Sequence, residues 1–277
     1  MQTIKKYEFT GETMKYNGIT LNRIRRISDG LVGGWIESEH NLHETGRCFV
    51  YDNAKVYGNA QVYENGCVYD NVEVYGNAQI HGNGHVYNDA KIYDNAKVNS
   101  NASVYHNAQI FENARISYDA KIYDNAKVYG NAIVYDLVEV YGNAEIYDDA
   151  RVHGYALISS NAEIYGNACV YGHATVYSAR VYGDAKVHGH AEVCGETEIS
   201  NGIIIGTVNS KYKNIFQYQC RDKFLTALQL ENDTIIYNFN DNFKVTKEDF
   251  IRNNEMGDQE LLTLIELSEM YFERMSE

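Results

Sequence analysis

The sequence predicts a mainly β protein built as a parallel β-helix, a coil of short strands stacked turn upon turn. Three observations predict it. A six-residue beat runs almost unbroken from Val50 to about Ile199, as in Val56-Tyr57-Gly58-Asn59-Ala60-Gln61 and Ile122-Tyr123-Asp124-Asn125-Ala126-Lys127. Short fixed periods of this kind build coils of equivalent turns. Pro is absent from all 277 residues, as suits a chain in which most amides serve a strand ladder. The period of six matches neither 3.6 nor 7, and Gly or Asn in every unit is costly in a helix.

Residues 1–49 do not follow the beat and are expected to form an N-terminal β cap. Tyr7–Thr10 and Gly18–Ile24 read as strands, and Asn17-Gly18 between them is a turn signal. The string Gly33-Gly34-Trp35-Ile36-Glu37-Ser38-Glu39-His40-Asn41-Leu42 follows. A stacked coil needs such a segment to cover its open apolar end.

Residues 50–206 form the coil. Position 1 of each unit is Val or Ile, stiff residues that favour strands. Position 5 is small, mostly Ala, and widens only at sites such as Val72, Val138 and Thr197. Both positions are expected to face inward. Positions 3 and 4, mostly Gly or Asp followed by Asn, tolerate turn and left-handed geometry. A bend after each short strand closes a triangle every three units, so one coil takes 18 residues. About eight coils at roughly 4.8 Å each give a prism on the order of 40 Å long. One unit, Val176-Tyr177-Ser178-Ala179-Arg180, is a residue short.

The pattern aliphatic–x–x–(Gly/Asn)–small–x resembles the hexapeptide repeat of left-handed parallel β-helix proteins. The resemblance spans roughly half the chain. It implies left-handed coiling, which general crossover rules do not give, and a homotrimer. The string from Gly33 to Leu42 is similar to the segment preceding the repeats in hexapeptide-repeat proteins of phages and prophages, implying a viral or mobile-element origin. Position 2 departs from the family: it is Tyr here instead of small or acidic.

Position 2 points outward, and residues 18 apart lie above one another, so the aromatic residues sort into columns. One reads Tyr57, Tyr75, Tyr93, Phe111, Tyr129, Tyr147, Tyr165; a second reads Tyr69, Tyr87, Tyr105, Tyr123, Tyr141, Ser159, Tyr177. The third is mixed: Tyr63, His81, Asn99, Ser117, Tyr135, His153, Tyr171. Pure columns suit ring stacking or contact with another subunit. The mixed column has two readings. One is drift at exposed positions. The other is a polar groove between subunits that holds a small ligand, formed by His81, His85, Asn99, Ser117, Lys121 and His153.

Residues 207–277 read as a small α+β module. Asn214–Cys220, Phe224–Leu230 and Thr234–Phe239 are expected strands, with Glu231-Asn232-Asp233 as a turn. Helices are expected from Thr246, with Asp249 completing a capping box, and from about Asp258 to Met275.

Composition narrows the function. The net charge of −14 argues against a sequence-blind grip on a nucleic-acid polymer. Arg23, Arg25, Arg26 and Arg47 near the cap serve either as charged edges that block aggregation or as a phosphate-binding patch. No stretch approaches the roughly 18 apolar residues of a membrane span, and the N-terminus lacks the apolar core of a secretion signal. Five dispersed Cys without metal-ligand spacing suggest reduced thiols in a cytoplasm. No metal or cofactor is expected.

Three functions remain. The first is a non-catalytic trimeric binding protein of phage type, sequestering a small nucleotide signal or blocking a host defence protein. The second is a structural scaffold or spacer. The third is implied by the resemblance, because many left-handed β-helix proteins are acyltransferases in which a His acts as general base. His81, His106, His153 and His188 lie in the coil, but no loop is extruded between Val50 and Glu198 to build an acceptor site.

Overall fold

The computed structural model describes residues 5–200, 203–204, 212–220, 223–230 and 235–239. Position 1 and position 5 side chains are buried along the whole coil, from Val50 and Ala54 to Val187 and Ala191. Each unit contributes a strand of two or three residues, and units 18 apart pair in parallel without a shift, as in Lys91↔Gln109 and Ile92↔Ile110. The result is three parallel sheets around one apolar core, a β-solenoid. Face I carries the strands Lys55–Val56 to Glu198–Ile199, face II those from Gln61–Val62 to Ile203–Ile204, and face III those from Phe49–Val50 to Glu192–Cys194. Faces II and III each have nine strands. The prism is one coil longer than the hexads suggest, because the cap string joins the ladder. Trp35 pairs in parallel with Lys55, and Leu42 bridges Val62.

The corners divide their work more finely than the sequence suggests. The position 5 amide donates to the position 2 carbonyl, as in Ala54 to Tyr51 at 3.0 Å. Position 3 alone takes positive φ: Asp52 at 52°, Asp94 at 54°, Gly76 at 70°. Left-handed geometry therefore belongs to position 3. The position 4 Asn has another task, donating its side-chain amide to the equivalent residue one coil later. Around the corner between faces I and II the chain of bonds runs Asn59→Asn77→Asn95→Asn113→Asn131→Asp149, each 2.9–3.1 Å long. The position 3 amides are met by position 3 carboxylates of the preceding coil, as where Gly130 N donates to Glu112 at 2.8 Å.

The cap is the expected hairpin. β1 (Tyr7–Tyr16) and β2 (Ile19–Arg26) are antiparallel, joined at Asn17 and Gly18, both with positive φ. β3 (Val32–Ile36) is antiparallel to β2 and parallel to the first coil strand. Gly33 and Gly34 make that switch possible: a Cβ on either would lie 2.5 Å from a carbonyl oxygen, of Val50 or of Ala54. Buried Asn41 ties the string down, donating to the Gly58 and Ala60 carbonyls at 3.0 and 2.9 Å. The strands Tyr212–Cys220, Lys223–Leu230 and Ile235–Phe239 form the expected antiparallel sheet. The Glu231–Asp233 turn and both expected helices lie outside the described residues.

Core and ladder should separate in mutants. Ile110→Ala, at a fully buried site, is expected to cost about 3 kcal/mol. Asn95→Ala, breaking two exposed amide bonds, should cost about 1 kcal/mol. Denaturant midpoints measure both, and an Asn95 effect equal to that of Ile110 would contradict this division.

Candidate functional site

The strict 18-residue register converts sequence columns into physical stacks. On face I the rings run without a break from Tyr57 to Tyr182, with centroids 4.7–5.1 Å apart and planes within 1–5°. On face III Tyr87, Tyr105, Tyr123 and Tyr141 stack at 4.8–5.0 Å. Tyrosines of both faces donate to position 6 glutamates, as Tyr129 to Glu145 at 3.0 Å and Tyr123 to Glu139 at 3.3 Å. Burial and neighbouring acids raise their hydroxyl pKa values, to about 12 at Tyr147, so the hydroxyls stay neutral.

Face II differs in two ways. Its column lacks two consecutive rings, where that of face III lacks one, at Ser159. Tyr63 stacks on His81 at 4.7 Å, and Tyr135, His153, Tyr171 and His188 stack in series. Between His81 and Tyr135 the rungs are Asn99 and Ser117, which carry no ring. Three coil spacings separate the two rings, about 14 Å. The gap is thus a notch with a ring at each end, room for two missing rings. Tyr118, 57% exposed, leans toward Tyr135 at its rim.

The second difference is charge. On faces I and III, four position 6 cations pair with acids one coil away, Lys91–Glu73, Lys121–Glu139, Lys127–Glu145 and Arg180–Glu198, and Lys55 lies over the Tyr16 ring at 5.0 Å. On face II position 6 reads Gln61, Gln79, Lys97, Arg115, Ile133, Arg151, Cys169, Lys186, with no acid. Among the described residues, no carboxylate lies within 4.0 Å of Lys97, Arg115, Arg151 or Lys186. Lys97 and Arg115 flank the notch rungs Asn99 and Ser117 directly, each heading the two-residue strand that its rung follows. A chain of charge −14 thus keeps uncompensated cations beside a two-rung gap in an aromatic stack.

Of the expected groove residues, His81, Asn99, Ser117 and His153 share face II. His153 lies two coils beyond Ser117, stacked between two tyrosines. His85 and Lys121 belong to face III. His85 lies against the Tyr69 hydroxyl at 3.4 Å, and Lys121 is held by Glu139 at 2.9 Å. Corner residues separate them from the notch. Lys97 and Arg115 were missed. The signal that finds them is the sign of charge down each position 6 column.

The arginines near the cap are largely engaged. Arg25 makes two bonds to Glu8, and Arg26 two to Asp29, whose carboxyl it holds down at about 2. Arg23 lies over the Trp35 ring at 4.8 Å and donates to the Asp52 carbonyl, leaving its buried Nε unmet. The Arg47 side chain is exposed.

The coil histidines have plain neighbours. His106 is paired with Asp124 at 3.0 Å on an exposed corner. His153 lies 3.8 Å from the Cys169 sulfur and 4.0 Å from Asp136. Burial raises the Cys169 pKa and lowers that of His153, favouring neutral thiol and neutral imidazole. A further hollow of about 520 Å³ opens at the short unit, lined by Asn161, Glu163, Ser178, Arg180, Glu196 and Glu198. Its single cation already bridges Glu163 and Glu198 at 3.6 and 2.8 Å, so acid dominates it. Among the described residues no cluster of His, Cys, Asp and Glu is arranged to hold a metal, and no helix is long and apolar enough to cross a membrane.

A family model described as the YdcK beta solenoid repeat matches residues 120–136, about one coil. That stretch of the chain is similar to a known solenoid repeat. No curated protein matches.

The stacked imidazoles give a pH signature. Burial lowers the pKa of His81 and His153 below the usual 6.5, against the opposing pull of Glu64 and Asp136. Below pH 6.5 the unfolded chain then binds protons that the folded chain resists, so stability falls as pH drops from 6.5 through the lower folded values. His81→Phe/His153→Phe keeps both rings, as Phe111 does on face I. Its melting temperature should fall less than that of the unaltered protein between pH 7.5 and 5.5; parallel curves would refute the assignment.

Proposed function

We propose that the protein is a non-catalytic binding protein that holds a small, flat, anionic ligand of the nucleotide class in the notch of face II. The observation that carries this reading is the coincidence of two departures from the repeat. The ring column is interrupted for two rungs, and the cations beside those rungs lack acidic partners. A heteroaromatic ring entering the gap regains stacking on His81 or Tyr135, worth roughly 0.5–1.5 kcal/mol per favourable pair. Lys97 and Arg115 meet its phosphate, and the Arg fork suits phosphate oxygens. The Asn99 amide and Ser117 hydroxyl offer donors to the ring edge.

The in-register scaffold supports sequestration over turnover, since among the described residues it orients groups and the Cys169 thiol and His153 imidazole beside it are held neutral. The hexapeptide-repeat resemblance supports assembly as a homotrimer, which would present three equal notches. The cap string from Gly33 to Leu42 supports a phage or prophage origin, and with it the capture of a host immune nucleotide in the host cytoplasm. A scaffold role is the second reading, favoured by the long uninterrupted stack of face I.

Completing the column tests the proposal. Asn99→Tyr/Ser117→Tyr should leave the fold intact, since Tyr or Phe occupies the equivalent rungs on both other faces. Calorimetric titration with mononucleotides and cyclic dinucleotides should show saturable binding by the unaltered protein, weakened at least tenfold in the variant. Absence of binding by the unaltered protein, together with no nucleotide released from it on heating, would favour the scaffold.

A further inference from the structure

A second cluster of departures from the repeat, at Leu137, Tyr155, Ile133 and Leu157, lies beside the notch and meets it at Arg115 and Tyr118. Along the coil, position 4 holds polar side chains except at Leu137 and Tyr155. Position 6, beyond buried Phe49 and before the last face II strand at Ile203, is aliphatic at Ile133 and Leu157. The register brings all four together. Leu137 and Tyr155 occupy consecutive coils on the corner between faces II and III. Ile133 precedes that corner on face II, and Leu157 follows it on face III. Leu137 is 50% exposed and Tyr155 57%, and exposed Tyr118 sits one coil earlier.

The corner gives up part of its own stabilisation to present these groups. Its amide ladder runs Asn65→Asn83→Asn101→Asp119 and ends there, because the Asp119 carboxylate has no N–H to pass on and Leu137 above it has no polar side-chain atom to continue the chain. The acids nearby are already engaged: Asp119 accepts from Asn101, Asp136 from the Gly154 amide, and Glu139 from Lys121. Arg115 and Arg151, both exposed on the adjoining face, flank the apolar strip with no carboxylate in reach.

We infer that this corner docks an extended, acidic segment of a partner protein, anchored by apolar side chains on Leu137 and Tyr155. Exposed apolar groups bordered by unneutralised cations complement such a segment in both respects. From Tyr118 to Tyr155 the strip spans two coil spacings, about 10 Å, the length of three extended residues. The side chains of Ile133 and Leu157 widen it on either flank, so alternate residues of the segment find apolar contact. Its acidic residues reach Arg115 and Arg151.

Fluorescence anisotropy with labelled synthetic peptides tests this on the full chain. One peptide alternates Asp or Glu with Leu and Tyr, and a second replaces every acid with Lys. The acidic peptide should bind, and more weakly as salt rises. Leu137→Asn/Tyr155→Asn restores the residue of the repeat, so the fold is retained, and should weaken binding at least tenfold. Arg115→Gln/Arg151→Gln should flatten the salt dependence, while Asn99→Tyr/Ser117→Tyr should leave peptide binding unchanged. That last variant separates failure here from failure of the nucleotide notch. Equal binding by the Leu137/Tyr155 variant, or a preference for the Lys peptide, would overturn the inference. So would a change of sedimentation in that variant, since a second copy of this chain would then occupy the corner.

Discussion

The whole molecule depends on one constraint: equivalent units pair in parallel with no register shift every 18 residues. In-register pairing sets each side chain one strand spacing from its equivalent, about 4.8 Å. At that distance identical groups interact with themselves. Phenol rings stack, Asn amides donate to Asn carbonyls, and Lys alternates with Glu. The core follows the same logic, with Val or Ile above Val or Ile and Ala above Ala. A repeat so regular needs few long-range instructions, because each coil templates the next.

Regularity also makes departures legible. A single Leu on the surface of an ordinary globule carries no message. Here Leu137 takes a position that elsewhere carries ladder-forming Asn, and among the described residues the amide ladder of its corner does not resume above it. Asn99 and Ser117 similarly remove rings from a stack that elsewhere holds them. Both clusters touch face II, which also bears the uncompensated cations. Faces I and III show the opposite character, with charges paired and phenols bonded to glutamates. On the proposed reading, this asymmetry gives recognition to one side of the prism and support to the others.

Much of this was open to the sequence because a six-residue period has one direct geometric consequence. The inward set, the coil length, the three ring columns and the Asn17-Gly18 hairpin all followed from spacing and residue type. The role of position 4 did not. Asn suits turns, and that local property concealed its bond to a residue 18 positions away, visible only once coils are superposed. The two faces of the groove residues were hidden for a related reason. His81 and His85 are four residues apart in sequence, yet a corner turns them onto different sheets. Lys97 and Arg115 escaped because ion pairing is a property of neighbouring coils, not of a unit.

The short unit at Val176 shows what the ladders permit. There the spacing falls to 17, with Glu163 facing Arg180 and Asn167 bonding Asp184, and pairing resumes at once. Loss of a residue is absorbed at a corner because the strands lock onto the coil below. Loss or gain of a complete coil asks even less, since every column simply closes over the joint. Gene duplication or deletion in steps of 54 nucleotides would therefore lengthen or shorten the prism freely. The distance between the cap and the proposed notch is in this sense a quantity that evolution can adjust without redesigning either.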